Sequence, residues 1–548
     1  MKPVPKSYSS FWFKGFWIAP LLLLILTIGV FSKSNSNEGQ KSKERKLRIS
    51  FAYDPKTLDP RKGSEPVAST VHFALYEGLT RMNERSTHEP GVAENIDISE
   101  DKRTYTFHLR STYWTNGDPV TAEDFAYAWR SVLDPDFPAP NAHLLYPILN
   151  AEKVKKGDLP VDSLGIEVLD EKTLRVTLER PTPYFLDVTS FCVLYPVPSK
   201  VATQNPRWAE KTDQSLVTNG PFVLESWVPT DHFVFKKSPI YWEKELVKLD
   251  EIQALTIANN TTTLALFEAG DLDFMGGFCG EIQTEWIPEL VKQGRLHFTP
   301  SGATKIVTFN VATFPFCNSN IRKAFSFAID RHSIIENITQ FEELAALGFV
   351  SPLLKNGVSN EYFKDADITK AHDYLVLGLN ELGLNSPADL GEIHYAYSDA
   401  ATDKKIAQAL QQQWNKQLGV QVRLEEYPMN HLSDKLNRRD YQMGQVTYIA
   451  QYNDLMNILD RFKIKTNLKN YPGWENNEYV QLLESSAFAS TPSERFQILE
   501  KAEQIMISEM PIAGIYHWGT ISMQSEKVHD LFISPVGSLH FNYTNIDD

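Results

Sequence analysis

Cysteine is scarce in this chain of 548 residues, which contains only Cys192, Cys279 and Cys317. These three lie far apart, and no two of them form a Cys-x-x-Cys pair. Zinc, iron–sulfur and thioredoxin-type sites need closely spaced thiolates, so the sequence provides no ligand set for any of them. The cysteines can form one disulfide at most. A chain of this length has an ample hydrophobic core without metal or disulfide support.

Catalytic motifs are also missing. The sequence contains no His-Glu-x-x-His, no Gly-x-Ser-x-Gly, no Walker A motif and no Gly-x-Gly-x-x-Gly. The glycine-rich stretch at 275–280 lacks the lysine and Ser/Thr of a phosphate-binding loop, which indicates a plain loop. Acidic pairs such as Glu425 and Glu426 are adjacent in sequence and point apart, as solvated side chains do. The sequence therefore predicts a protein that is not an enzyme and holds no metal and no cofactor.

Positive charge is in deficit. The chain holds 54 lysines and arginines against 69 aspartates and glutamates, a net charge of −15. The first 46 residues contain eight of the basic and two of the acidic residues, so the remainder carries −21. A body of this charge repels phosphate backbones, which argues against nucleic acid as a partner.

The basic N-terminus precedes a long apolar run. Lys2, Lys6 and Lys14 come before residues 16–31, and residues 32–46 are polar. This order is typical of a secretory signal and predicts a body in the periplasm or on the extracytoplasmic face of the membrane. Cleavage of the signal and its retention as an anchor at 11–31 both stay open, because the run is shorter than the roughly 20 residues that span a bilayer. No cysteine precedes Cys192, so we expect no lipoprotein.

Strand and helix patterns alternate along the body. Residues 47–53 place large apolar side chains at every second position, as a half-buried strand does. Thr121 and Asp124 form a capping box, and the apolar residues that follow have helical spacing. Further helices are predicted at 403–418 and 492–509. The pattern as a whole predicts a mixed α/β fold with more strand than a doubly wound domain needs.

Two short segments combine aromatic and polar side chains beside turn residues. They are 448–454 and 515–518, which contribute Tyr448, Gln451, Tyr452, Asn453, Tyr516, His517 and Trp518. Such a setting suits a ligand cleft. Aromatic residues at this density also suit a hydrophobic core, and the pattern alone leaves both interpretations open.

One region carries a longer motif. It reads Tyr105-x-Phe-x-Leu-Arg110 and then Trp114-x-Asn-Gly-Asp-Pro-Val-Thr-Ala-x-Asp-Phe125. The motif resembles the signature of the extracytoplasmic solute-binding proteins of the oligopeptide, dipeptide and nickel class. Other segments stand in that family's order, among them Thr57-Leu-Asp-Pro60, Tyr76-Glu-Gly-Leu79 and Val217-Thr-Asn-Gly-Pro-Phe222. The resemblance covers the chain from about residue 47 to 545.

The resemblance implies a three-lobed, periplasmic-binding-protein-like fold of class II, the flytrap type, with mixed β-sheets. Residues 1–46 would be the signal or anchor segment with a polar linker. The first lobe would comprise 47–79, 200–298 and 513–548, the second 80–199 and the third 299–512. Two lobes would close on the ligand, and the membrane permease would recognise the closed state.

The function implied is the oligopeptide-binding component of an ABC peptide importer. Its partners would be a peptide ligand and the membrane permease subunits, and the protein would be a monomer. A binder of another solute, such as a dipeptide, a nickel chelate, haem or a cell-wall peptide, is the alternative within the family. An exported hydrolase and a chaperone-like or adhesive surface protein are the alternatives outside it.

The resemblance also implies a ligand site. Tyr53, Asp54 and Lys56 fall where the family has its first-lobe ligand loop. Residues 445–454 fall on the third-lobe strand and loop that face this loop, which adds Gln445 to the candidates of the aromatic segments. In oligopeptide binders the ligand lies extended and is held by main-chain hydrogen bonds, while wet pockets tolerate varied side chains.

Three positions depart from the family's pattern. Gln451 stands where oligopeptide binders commonly have an aspartate that neutralises the ligand's α-amino group, Gln445 replaces an arginine, and Ile449 replaces a cysteine. A neutral amide gives up the charge-assisted part of the hydrogen bond, about 1–2 kcal/mol. Either the ligand's amino group is bound elsewhere, or the ligand differs from a plain peptide.

Overall fold

The structure, a computed structural model, describes residues 44–84, 86–210 and 216–547. The apolar run at 16–31, on which the predicted signal rests, lies outside these ranges. Within them, no helix has the length and apolar character needed to cross a membrane. Glu44–Asp548 form one compact unit. All three cysteines are free thiols, with Cys317 exposed and the other two buried.

The strands of the described residues are short except for two of 13 residues near the middle and the end of the chain. In chain order they are β1 (Lys46–Phe51), β2 (Thr80–Met82), β3 (His88–Pro90), β4 (Ala93–Ile98), β5 (Thr104–Leu109), β6 (Ile166–Asp170), β7 (Thr173–Thr177), β8 (Phe222–Val228), β9 (His232–Lys237), β10 (Glu251–Thr256) and β11 (Phe274–Gly276). The series continues with β12 (His297–Phe309), β13 (Leu344–Ala345), β14 (Glu392–Ser398), β15 (Gln421–Tyr427), β16 (Met443–Ile449), β17 (Ile512–Gln524), β18 (Val528–His529), β19 (Phe532–Ile533), β20 (Leu539–His540) and β21 (Asn545–Ile546).

The α-helices alternate with these strands, joined by short 3₁₀ turns and one π-helical turn, Ile335–Thr339. They are α1 (Pro66–Leu75), α2 (Ala122–Leu133), α3 (Ala151–Lys155), α4 (Phe185–Val188), α5 (Ser199–Gln204), α6 (Asn260–Glu268), α7 (Ile287–Lys292) and α8 (Ser319–Phe327). The rest are α9 (Arg331–Ile334), α10 (Ile368–Leu382), α11 (Ala401–Leu418), α12 (Met429–Asn437), α13 (Met456–Leu459), α14 (Asn477–Ser486) and α15 (Pro492–Glu509).

The first sheet joins the start of the body to residues 222–256. Its order is β1-β10-β9-β8, with β1 parallel to β10 and the other neighbours antiparallel. Strand β1 is the strand predicted at 47–53, ending two residues earlier. Its alternating Leu47, Ile49 and Phe51 are fully buried. The period of two thus decides which face of the sheet meets the core.

The second sheet is antiparallel, of order β4-β5-β7-β6, and α2 packs on it. Helix α2 begins at the predicted capping box, where Thr121 N donates to Asp124 Oδ2 over 2.9 Å. Its apolar stripe, including Phe125 and Trp129, is fully buried. The predicted helix and its core-facing side are confirmed.

The third sheet has seven strands in the order β11-β17-β12-β16-β14-β15, with β13 on β17. Strand β14 is parallel to both β15 and β16, whereas β12 is antiparallel to its neighbours β16 and β17. The helices predicted at 403–418 and 492–509 are α11 and α15. The mixed sheet explains why the chain holds more strand than a doubly wound domain.

The hydrophobic core is divided among these sheets. One cluster fills the two sheets of the N-terminal half, and two more cover opposite faces of the seven-stranded sheet. Tyr452 belongs to the first cluster, although it follows β16 of the third sheet. Tyr184, from the N-terminal half, packs against the first and the third cluster. These two tyrosines therefore join the halves of the body.

Candidate functional site

Strand β16 has one edge that is only partly paired. On one side β12 pairs with it from Met443 to Ile449 without a register shift. On the other side β14 pairs only with Met443 and Gly444. Beyond Gly444, no strand of the described residues lies on that side. Residues 445–449 therefore form an open strand edge inside the molecule.

The backbone groups on this open edge can be identified from the ladder. Ala450 N donates to Gly302 O over 2.9 Å, and Asn310 N donates to Gln442 O over 3.0 Å. Hydrogen-bonded residues alternate along an antiparallel strand, so the even-numbered residues bond to β12. Gln445, Thr447 and Ile449 direct their N–H and C=O groups away from β12. The parallel pairing of Gly444 with Ala396 uses the Gln445 N–H, so the open edge begins at the Gln445 carbonyl. Such an edge is a template for an added extended chain.

The open edge lies at the point where the strand order of the third sheet reverses. Strand β14 leads through α11 to β15 on one side, and β15 leads through α12 to β16 on the other. The carboxyl ends of β14 and β16 therefore separate beside the start of α11. Ligands of open α/β sheets bind in the crevice at such a switch point.

At the start of the open edge lies a buried polar cluster. The Gln445 side chain accepts a hydrogen bond from Tyr395 Oη at 2.8 Å and donates to the Asp403 carbonyl at 3.5 Å. The Asp403 carboxylate in turn forms an ion pair with Lys305 and accepts a hydrogen bond from Ser398 Oγ. Gln445, the residue in place of the family's arginine, is thus a buried amide with partners of its own.

At the far end of the open edge, Gln451 joins its loop to the segment at 141–143. Its Nε2 donates to Asn141 Oδ1 at 2.8 Å, and its Oε1 lies 3.2 Å from His143 Nε2. Desolvation, together with the charges of Arg461 and Lys469, lowers the pKa of His143 to about 4. A neutral His143 therefore donates from Nε2 to the amide oxygen near pH 7.

The two residues after Gln451 differ in their surroundings. Tyr452 is buried and stacks on Tyr184, with ring centroids 4.9 Å apart and an interplanar angle of 10°. Asn453 is half-buried and has no hydrogen bond to the described residues. Tyr452 thus packs between the halves of the body, and Asn453 keeps its amide groups available.

The candidate residues Tyr53, Asp54 and Lys56 follow the end of β1. Tyr53 is 42% exposed and the Lys56 side chain is exposed. Both oxygens of Asp54 are used inside the protein, since Oδ2 accepts from Thr230 N at 2.7 Å and Oδ1 from Thr256 Oγ1 at 2.8 Å. Asp54 therefore fixes the loop, and Tyr53 and Lys56 remain accessible.

The remaining candidates lie on two faces of the third sheet. Tyr448 and His517 are the register partners of Thr304 on the two neighbouring strands. His517 Nδ1 lies 2.9 Å from Thr304 Oγ1. Tyr448 Oη donates to Lys469 O at 2.7 Å. Tyr516 pairs with Lys305 on the opposite face, and Trp518 is half-buried. Burial lowers the pKa of His517 to about 3. Tyr448 and His517 thus lie in the core.

Several groups that the fold brings to the open edge and to the loop after it carry no signal in the local sequence. They are Lys305, Thr447, Asn141, His143, Tyr184 and Arg461. Asn141 and Gln451 are 310 positions apart in sequence, so no local pattern connects them. Thr447 has no sequence signal for another reason: its backbone N–H and C=O groups, not its side chain, belong to the open strand edge. Among the described residues, no group of His, Cys, Asp and Glu is arranged to hold a metal ion.

Comparison with known proteins agrees with this architecture. Residues 87–470 match the family model described as bacterial extracellular solute-binding proteins, family 5 Middle. The chain is 38% identical to the oligopeptide-binding protein OppA of Bacillus subtilis (strain 168), over 96% of this chain and 98% of that protein. It is 33% identical to the dipeptide-binding protein DppE of the same strain, over 94% of each.

A solved structure shares the fold over nearly the whole body. Haemophilus influenzae OppA in complex with RPPGFSPFR superposes with a TM-score of 0.78 at 27% identity, covering 92% of this chain and 99% of that chain. The α/β periplasmic-binding-protein fold with mixed sheets, predicted from the sequence, is confirmed.

Proposed function

The chain belongs to the bacterial extracellular solute-binding proteins of family 5, and we propose that it is the oligopeptide-binding component of an ABC peptide importer. It captures peptides outside the cytoplasmic membrane and delivers them to the permease subunits. The similarity to an oligopeptide-binding protein over almost the whole chain supports this function. A dipeptide ligand is the second candidate, which the similarity to DppE favours.

The observation that carries the proposal is the open edge of β16. A peptide laid along residues 445–449 finds the N–H and C=O groups of Thr447 unpaired, together with the C=O of Gln445 and the N–H of Ile449. The Ile449 carbonyl already accepts from Arg461 Nη2 at 2.6 Å. Main-chain hydrogen bonds do not depend on the side chains of the ligand, so one edge serves many sequences. The edge spans about 13 Å, the length of a short peptide.

We assign three lobes with the boundaries expected from the sequence: 47–79 with 200–298 and 513–548, then 80–199, then 299–512. Each of the three large sheets draws most of its strands from one of these groups. Around the ligand, we assign contacts to Tyr53, Lys56, Asn453 and the backbone of residues 445–449. Asp54, Gln445 and Tyr516 support these contacts from behind.

Closure of the lobes uses contacts between segments 141–184 and 451–495. Gln451 bonds to Asn141 and His143, and Tyr452 stacks on Tyr184. Arg495 lies over the same Tyr184 ring at 5.7 Å and holds Asp454 through two bonds of 2.7 and 2.8 Å. The contacts of Asn141, His143 and Tyr184 with segment 451–495 form only when the two segments meet, so they stabilise the closed state that the permease recognises.

The protein acts as a monomer and does not alter its ligand chemically. Residues 16–31 direct export, after which the segment is either cleaved or kept as an anchor formed by 11–31. No acyl chain is attached. Fractionation of the native host, with labelling by a fatty-acid precursor, tests this localisation: recovery in the cytosol or incorporation of label would contradict it.

Mass spectrometry of the small molecules that co-purify with the exported protein tests the function itself. We expect a mixture of short peptides, released intact on denaturation and able to raise the melting temperature when added back. At a hundred times the dissociation constant, binding adds about 2.7 kcal/mol of apparent stability. A single non-peptide solute would contradict the proposal, and so would fragments of an added peptide produced at a catalytic rate.

A further inference from the structure

The open edge on β16 has a contact between lobes at each of its two ends. At one end, the contact is that of Gln451 described above. At the other end, near Gln445, the first turns of α11 meet a loop that we assigned to the first lobe. Lys405 Nζ donates to Glu285 Oε1 at 2.7 Å and to Thr284 Oγ1 at 3.1 Å. Polar bonds therefore join the lobes at both ends of the edge.

The first-lobe loop with Thr284 and Glu285 is a tight turn. The N–H of the residue after it donates to the carbonyl of the residue before it over 2.9 Å. Ile282 and Ile287, on either side of the turn, are buried in a small apolar cluster that includes residues of β11 and β17. The position of the turn therefore depends on its own packing and not on α11.

Lys405 is fixed to the third lobe through the first turn of α11. Asp403, two residues earlier, forms an ion pair with Lys305 and accepts a hydrogen bond from Ser398. The Asp403 carbonyl accepts from Gln445 Nε2 at 3.5 Å, so the same turn contacts the first residue of the open edge. The Lys405 contact and the start of the open edge thus have a common support.

The neighbouring Lys404 differs from Lys405 in only one respect that matters for closure. Lys404 Nζ pairs at 2.8 Å with Glu426 of β15, which belongs to the same lobe. The side chains of Lys404 and Lys405 are 49% and 44% exposed, and their ion pairs have nearly the same length. Opening of the cleft breaks the pair of Lys405 and leaves the pair of Lys404 intact, because only the former joins two lobes.

We propose that Lys405 is a latch that holds the third lobe on the first lobe and slows the release of a bound peptide. The inference rests on the lobes and the peptide-binding function proposed above. A contact made only in the closed state stabilises that state, so the ligand stays bound longer while the rate of capture is unchanged. Salt screens an exposed ion pair, so the latch makes the residence time of the peptide depend on the ionic strength around the protein.

The rate at which tetraalanine is released, followed by stopped-flow tryptophan fluorescence, tests the latch. In Lys405→Gln release should be about two- to fivefold faster than in the wild type, the range expected for one exposed ion pair. Lys404→Gln is the matched control and should release the peptide at the wild-type rate. Lys405→Glu should accelerate release further, and adding Glu285→Lys to it should restore slow release. Equal rates in Lys405→Gln and Lys404→Gln would overturn the proposal.

A distance measurement tests the latch without a ligand. Cys317 is an exposed thiol in the third lobe, and the other two cysteines are buried. Spin labels on Cys317 and on Glu245→Cys, an exposed position in the first lobe, report the separation of the two lobes. Lys405→Gln should shift the distances to larger values than Lys404→Gln does, and identical distances would overturn the latch. If the distances shift but tetraalanine does not bind to the wild type, the latch holds and the proposed function fails.

Discussion

At the scale of single residues, buried histidines set the response of the protein to acid. His72, His517 and His540 are buried, and burial lowers their pKa values to about 4, 3 and 3. A histidine in the unfolded chain titrates near pH 6.5. Because the folded pKa values are lower, the stability these residues contribute is complete above pH 6.5 and is lost as the pH falls towards 4 and 3.

We predict that His540→Phe makes the protein less sensitive to acid. The His540 ring stacks on Phe73 at 4.1 Å and its Nε2 has no hydrogen-bond partner among the described residues, so a phenyl ring keeps the stack. Between pH 7 and pH 5 the variant should lose on the order of 2 kcal/mol less unfolding free energy than the wild type. Denaturant unfolding at both pH values measures this. The exposed His431→Asn is the control, and equal losses in wild type and His540→Phe would show that His540 does not titrate on unfolding.

The position of a helix or strand can depend on one polar residue that forms hydrogen bonds with several other segments, and Asp124 at the start of α2 is such a residue. The Asp124 carboxylate accepts from Thr121 N, from Trp114 Nε1 at 3.1 Å, and from Ser199 N and Oγ at 2.9 and 2.6 Å. We predict that Asp124→Ala lowers the free energy of unfolding by about 2–4 kcal/mol, since the cap is lost and buried donors stay unpaired. Glu123→Ala, next to it and exposed, should cost less than about 0.5 kcal/mol. Urea unfolding decides between them, and similar small losses in both would contradict the role of Asp124.

Several helices could be predicted from the sequence because local features mark their ends. The capping box at Thr121 and Asp124 and the helical spacing after it predict α2 because both are local features. Helix α15 begins at a proline and ends at Glu509, as its pattern predicts. The 13-residue strand β17 was not predicted as a strand, because 515–518 read as an aromatic cleft segment. Its residues are buried on both faces between β12 and β11, which removes the alternation that marks a half-buried strand.

The site was less accessible to sequence reasoning than the fold. The loop of Gln451, Tyr452 and Asn453 could be located by resemblance, and the structure places it at the end of the open edge. The open edge itself depends on β14 separating from β16 after Gly444, a relation between strands that no residue pattern encodes.

For the whole molecule, the proposed function makes ligand affinity depend on the contacts between segments 141–184 and 451–495. We predict that Tyr184→Ala weakens peptide binding by about three- to tenfold, because the stack on Tyr452 contributes about 0.5–1.5 kcal/mol to the closed state. Tyr184→Phe keeps the ring and should bind with nearly the wild-type affinity. Calorimetry on one peptide with both variants measures the effect. Unchanged affinity in Tyr184→Ala would mean that this stack does not take part in closure.

If the backbone of β16 holds the ligand, removal of one outward N–H group must weaken binding, which a peptide titration of Thr447→Pro measures. Proline removes the Thr447 N–H, which faces the open edge and makes no bond to β12, so the ladder stays intact. Thr447→Val, with its backbone unchanged, is the control. We expect at least about a tenfold loss of affinity in Thr447→Pro at an unchanged melting temperature, and wild-type affinity in Thr447→Val. A folded Thr447→Pro that binds the peptide as tightly as the wild type would contradict it.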